Sequence, residues 1–68
     1  MIAKYVAAVQ IICVNADGSW WMQARDDINE AKQLCKHWNN EHSDRNYYLS
    51  DCDPMVAMFS SNPPEPMA

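Results

Sequence analysis

Gly18 is the only glycine in the chain, and it closes the polar stretch Asn15-Ala16-Asp17-Gly18 between two apolar runs. Glycine supplies the positive φ that tight loops commonly need, so this stretch predicts the turn of a β-hairpin. Before the turn, every odd position from Ala3 to Cys13 is apolar, while Lys4 and Gln10 fall among the even ones. That alternation predicts a strand over residues 3–14 with its odd face inward. Ser19 to Arg25 returns as a second strand. A four-residue loop would set Val14 opposite Ser19, and therefore Cys13 opposite Trp20, Ile11 opposite Met22, Val9 opposite Ala24 and Gln10 opposite Gln23. Apolar then meets apolar and amide meets amide, whereas a slip of one residue turns the whole second strand over. On this register Trp20 and Met22 join the core, and Trp21 stands on the other face beside Ile12 and Val14.

Asp26-Asp27 opens a helix. Asp27-Ile28-Asn29-Glu30 has capping-box spacing, and both aspartates suit the positive end of the helix dipole. Ile28, Ala31, Leu34, Cys35 and Trp38 recur at steps of three and four as a core stripe, with Glu30, Lys32, Gln33, Lys36 and His37 on the wet side. Asn39-Asn40 is a plausible stop. Tyr47 to Cys52 has strand character, Asp53-Pro54 breaks it, and Met55 to Phe59 suits a short fourth strand. From Ser60 onward three prolines and polar residues predict a disordered tail.

The expected fold is therefore α+β: a small antiparallel sheet in the order β-β-α-β, with a fourth strand as an option and one helix on one face. Residues 1–59 form a single compact domain and residues 60–68 the Pro-rich tail. Ordering the 68 residues costs roughly 1.5 kcal/mol each, which leaves no room for a second domain or a deep catalytic cleft. One helix covers one sheet face. The other then presents Ile12, Val14 and Trp21, with Val6 and Ile2 further along, as an apolar patch larger than a monomer normally tolerates. An outward Trp in such a patch suits a protein-protein anchor, and cover by the chain's own C-terminal strand Met55 to Phe59 is the other reading.

Nine Asp and Glu against five Lys and Arg give a net charge of −4, which argues against direct binding of nucleic acid or an anionic membrane. The acidity is local, since residues 46–68 hold Asp51, Asp53 and Glu65 and no Lys or Arg. Cys35, His37, His42 and Cys52 are zinc-type donors, but no Cys pair has ligand spacing, and Cys35 and His37 lie on different helix faces. Neither a metal nor another cofactor is expected. Cys35 is expected in the core, away from any Cys-His nucleophile, and no catalytic motif is present, so the expected protein is not an enzyme. Lys4 and the apolar run after it fit a secretory leader poorly because Gln10 interrupts the run. Three cysteines, an odd number, read as reduced thiols and a cytoplasmic location.

The passage Ala24-Arg25-Asp26-Asp27-Ile28-Asn29-Glu30-Ala31-Lys32-Gln33-Leu34, after a hairpin and before a final strand, resembles the strand-to-helix passage of small phage-encoded inhibitors. Anti-CRISPR proteins of this size and phage inhibitors of bacterial RNA polymerase are of that kind. The resemblance covers residues 3–52 in element order, and its motif is Ile28, Glu30-Ala31 and Leu34. It implies a non-enzymatic inhibitor in the cytoplasm of an infected bacterial cell, bound to a nucleic-acid-processing complex such as a CRISPR-Cas effector. Ile12, Val14, Trp21, Asp51 and Asp53 are the expected contact residues. A homodimer closed through the exposed sheet face is the alternative.

Overall fold

A computed structural model describes residues 9–67. Residues 3–8 of the expected first strand, and with them Val6 and Ile2 of the expected apolar patch, lie outside the described residues. Along the chain come β1 (Val9–Asn15), β2 (Trp20–Arg25), α1 (Ile28–Glu41), β3 (Arg45–Ser50) and the short α2 (Pro54–Ala57). The strands form one antiparallel sheet in the order β2-β1-β3, with α1 packed on it, a small α+β fold.

The hairpin turns where expected, but its loop is one residue shorter. Asn15 N–H donates to the Ser19 carbonyl at 2.8 Å, and Gly18 N–H donates to the Asn15 carbonyl at 3.0 Å. Only Ala16, Asp17 and Gly18 remain between the paired residues, with Gly18 at φ 90°. A three-residue connection ending in a left-handed residue is a standard hairpin geometry. Asp17 Oδ1 reinforces it by accepting from Ser19 N–H at 3.0 Å and from the Ser19 hydroxyl at 2.6 Å. Those bonds, the hydroxyl's first, hold the Asp17 carboxyl below its ordinary range.

The shorter loop overturns the expected register. Val14 pairs with Trp20, Cys13 with Trp21, Ile11 with Gln23 and Val9 with Arg25. Every β2 side chain is thus on the face opposite to the expected one. Trp21, Gln23 and Arg25 share the helix side with Val9, Ile11 and Cys13, while Trp20, Met22 and Ala24 stand on the back with Ile12 and Val14.

Helix α1 starts as expected. Asp27 Oδ1 accepts from the N–H groups of Asn29 at 2.9 Å and Glu30 at 3.2 Å. The helix continues past Asn39-Asn40 to Glu41, where His42 N–H closes on the Trp38 carbonyl at 2.9 Å. Asn39 does not stop the helix because its side chain is engaged elsewhere. Its amide brackets one residue of β3, with Tyr47 N–H donating to Oδ1 at 2.8 Å and Nδ2 donating to the Tyr47 carbonyl at 2.9 Å. The front core lies between these elements: Val9, Ile11, Cys13, Ala31, Cys35 and Tyr47 are buried, with Leu34, Trp38, Leu49 and Met67 packed against them. Cys13 is small, and its neighbours across the sheet, Trp21 and Tyr47, meet edge to face above it at 5.9 Å between ring centres.

The expected fourth strand is absent among the described residues, because Pro54–Ala57 is one turn of helix. Asp53 caps it by accepting Met55 N–H at 2.9 Å, and Pro54 occupies a first-turn position where its missing N–H costs nothing. The segment after Ser60, expected as a free tail, lies against the sheet instead. Trp20 Nε1 donates to the Ser61 carbonyl at 3.3 Å, the Tyr48 hydroxyl to the Pro64 carbonyl at 2.6 Å, and Met67 N–H to the Leu49 carbonyl at 2.7 Å. Proline carbonyls accept hydrogen bonds as other carbonyls do, and a PP-rich segment has little chain entropy to lose on docking.

Two substitutions test this account. A Cβ on Gly18 would meet nothing within 4 Å, so Gly18→Ala carries only the backbone penalty of a left-handed residue, about 1–2 kcal/mol. Gly18→Asn is expected to lose less, and urea unfolding midpoints rank the two. Asn39→Ala removes two hydrogen bonds from a partly buried edge and is expected to destabilise the fold by about 1–3 kcal/mol, with faster amide exchange at Tyr47. Asn39→Asp keeps the acceptor for Tyr47 N–H but sets a carboxylate against the Tyr47 carbonyl, so it should not rescue.

Candidate functional site

The five expected contact residues do not form one surface. Ile12 is fully buried in the middle of the sheet, and Val14 is half-buried beside it on the back face. Trp21 is exposed, but on the helix side against Tyr47. The sheet face that was expected to be open is covered by the chain's own C-terminal segment. Cys52 leaves β3 and places its sulfur 3.9 Å from the Met22 sulfur. The chain then passes through α2, reaches Trp20 at Ser61, comes back to Tyr48 at Pro64 and rounds the β3 edge at Leu49.

Asp51 and Asp53 do belong to one surface. Both line a groove of about 400 Å³ inside the C-terminal loop, together with Cys52, Val56, Pro64 and Glu65. All three acids of residues 46–68 therefore face one concavity, and no Lys or Arg lines it. Asp53 is partly committed as the cap of α2, whereas Asp51 and Glu65 are exposed. Ser50 is buried at the groove floor, and its Oγ accepts Cys52 N–H at 3.2 Å.

The exposed apolar surface sits next to this groove. Met55, Val56, Met58 and Phe59 are 66%, 68%, 68% and 86% exposed, which makes α2 and the two residues after it the most open hydrophobic stretch among the described residues. Val56 also lines the groove, so the apolar stretch and the acids share a border. The strand character of Met55 to Phe59, which makes a fourth strand an option, does not reveal this surface. The available signal was Asp53-Pro54, which is a helix cap followed by a first-turn proline as readily as a strand break.

Among the described residues no three His, Cys, Asp or Glu side chains are grouped to hold a metal ion, and no helix is long and apolar enough to cross a membrane. Cys13 and Cys35 are buried free thiols, with burial pushing the Cys35 thiol up, and Cys52 is half-buried and free. Comparison against protein-family models, curated proteins and solved structures found no match in any of the three.

Tyr48 ties the C-terminal loop to the sheet, and its ionisation offers a test. Burial pushes the phenol above its ordinary value of 10.0, and the negative charges of Glu65 and Cys52 add to the effect. A phenol raised in the folded state contributes stability below about pH 10, and that contribution is lost as pH rises through the folded value. Wild-type stability is therefore expected to fall through that alkaline range more steeply than that of Tyr48→Phe. At neutral pH the same variant should be less stable by about 1 kcal/mol, the worth of its bond to Pro64. Urea unfolding at a series of pH values measures both effects.

Proposed function

We propose that this chain is a non-enzymatic inhibitor of the phage-encoded kind, which binds a bacterial nucleic-acid-processing complex, a CRISPR-Cas effector in the first instance, in the cytoplasm of an infected cell. The observation that carries this reading is the exposed stretch Met55, Val56, Met58 and Phe59 bordering the groove of Asp51, Asp53 and Glu65. An apolar projection beside three acids and no base complements a protein surface with an apolar hollow and a basic rim. Channels that hold DNA or RNA have such rims, because their Lys and Arg neutralise phosphates. Phe59 would enter the hollow as the anchor, and the carboxylates would meet the rim. Three acids are too few to imitate a nucleic-acid backbone, so the apolar contact supplies most of the affinity and the acids supply orientation and approach rate.

Affinity capture from bacterial lysate, followed by mass spectrometry, is expected to return a nucleic-acid-processing complex in near-stoichiometric yield. With the captured complex purified, Phe59→Ala should weaken binding by about ten- to a hundredfold through faster dissociation. Asp51→Asn should lower the association rate and its salt dependence. Recovery of RNA polymerase would redirect the reading to that target. Recovery of no such complex, or undiminished binding by Phe59→Ala, would end it.

A further inference from the structure

The two edges of the sheet are treated differently. In an antiparallel sheet, alternate residues of an edge strand point N–H and C=O outward. On β3 those residues include Tyr47 and Leu49. The Asn39 amide occupies both backbone groups of Tyr47, and Met67 N–H occupies the Leu49 carbonyl. That edge is closed to another strand. On β2 the Asn15–Ser19 bond turns the odd residues toward β1, so Trp20, Met22 and Ala24 point outward. Among the described residues, the only hydrogen bond on these outward groups is a long one, from the Arg25 guanidinium to the Ala24 carbonyl at 3.4 Å. Edge strands that must stay single are usually blunted by proline, lysine, a bulge or a covering segment. Trp20–Arg25 has no proline and no lysine, and its pairing with β1 is continuous.

We propose that the outer edge of β2 pairs antiparallel with β2 of a second copy of this chain, joining two sheets into one. The occupant is argued from charge and size. Asp17 and Arg25 are the only charged residues of Val9–Arg25, and they lie at opposite ends of β2. Antiparallel self-pairing brings Arg25 of each copy to the loop end of the other, where Asp17 stays ionised because Ser19 holds its carboxyl low. The pairing thus supplies two symmetry-related attractions. Asp26 next to Arg25 has the same sign as Asp17 and offsets part of each attraction, whereas the Asp27 carboxylate is engaged by the helix N-terminus. In the register centred on Met22, which pairs outward residues with outward residues, Met22 meets Met22 and Trp20 meets the small Ala24, so large faces small on the back of the sheet. On the front, the exposed Trp21 lies across from Gln23. The two-fold axis runs perpendicular to the sheet, which places both C-terminal loops on one side of the dimer and both α1 helices on the other. This inference stands apart from the proposed function, since its edge shares no residue with the Met55 to Phe59 surface.

Sedimentation velocity of the full chain over a concentration series tests it. The wild type is expected to form a reversible dimer. Ala24 has an exposed side chain and an outward N–H, so Ala24→Pro removes an edge donor without breaking a bond to β1. Ala24→Arg leaves the backbone untouched and sets a bulky cation against Trp20 of the other copy. Each is expected to weaken dimerisation at least about tenfold. Far-UV circular dichroism confirms the fold, and if Ala24→Pro fails to fold, Ala24→Arg decides alone. A wild type that stays monomeric at every concentration overturns the proposal. So does a dimer that survives in folded variants, including one that Phe59→Ala dissolves.

Discussion

Strand β1 is buried on both faces, and the rest of the molecule is arranged to make that possible. Val9, Ile11 and Cys13 are at most 1% exposed on one side, and Gln10 and Ile12 at most 4% on the other. A central strand of this kind needs two covers. Helix α1 supplies the first, over β1 and β3. A second helix would be the usual source of the other, but the chain uses an irregular loop of residues 51–67, pinned at Trp20, Tyr48 and Leu49. The loop's large apolar side chains Met55, Val56, Met58 and Phe59 face water, so its attachment rests on hydrogen bonds from Trp20 and Tyr48 and one to the Leu49 carbonyl, with Met67 reaching the front core.

That division of labour explains the orientation of β2. Its apolar row, Trp20, Met22 and Ala24, faces the C-terminal loop, and its mixed row, Trp21, Gln23 and Arg25, faces the helix side. At first sight the helix is the more natural partner for an apolar row. However, α1 lies toward β3, where Trp38 packs at a tilt against Tyr47 with ring centres 5.2 Å apart and Asn39 grips the strand, and β2 is at the far edge. Both faces of β2 are therefore only half covered, with Trp20 and Met22 half-buried on the back, and Gln23 Oε1 and Arg25 Nε buried without a hydrogen-bond partner on the helix side.

Much of the architecture was legible in the residues. The alternation from Val9 to Cys13, the Asp27 cap and the stripe of Ala31, Leu34, Cys35 and Trp38 each reflect a local period, and local periods are written in sequence. The hairpin register was not legible in the same way. Both registers place a coherent set of side chains on each face of β2, and the choice depends on whether Asn15 pairs with Ser19, a matter of one loop residue. The position of the second cover was harder still. A polar, proline-rich segment carries no periodic signal, and its docking depends on Trp20 and Tyr48 being presented at the right spacing by a sheet already formed. Of the five expected contact residues, Asp51 and Asp53 line the groove because charge placement is a sequence property. Ile12 and Val14 do share the back face, and it is the expected register alone that adds Trp21 to them.

Covering the back of the sheet with a loop moves the problem of exposed apolar surface outward. A helix turn at Pro54–Ala57 buries Ala57 and leaves Met55 and Val56 facing water, with Met58 and Phe59 following. If the only requirement were to shield Ile12, polar residues at these four positions would serve as well, because none of them is part of the core. These four exposed side chains are the surface on which the proposed contact rests. The same logic separates them from Trp21, whose partial exposure is accounted for by its packing on Tyr47 across the small Cys13.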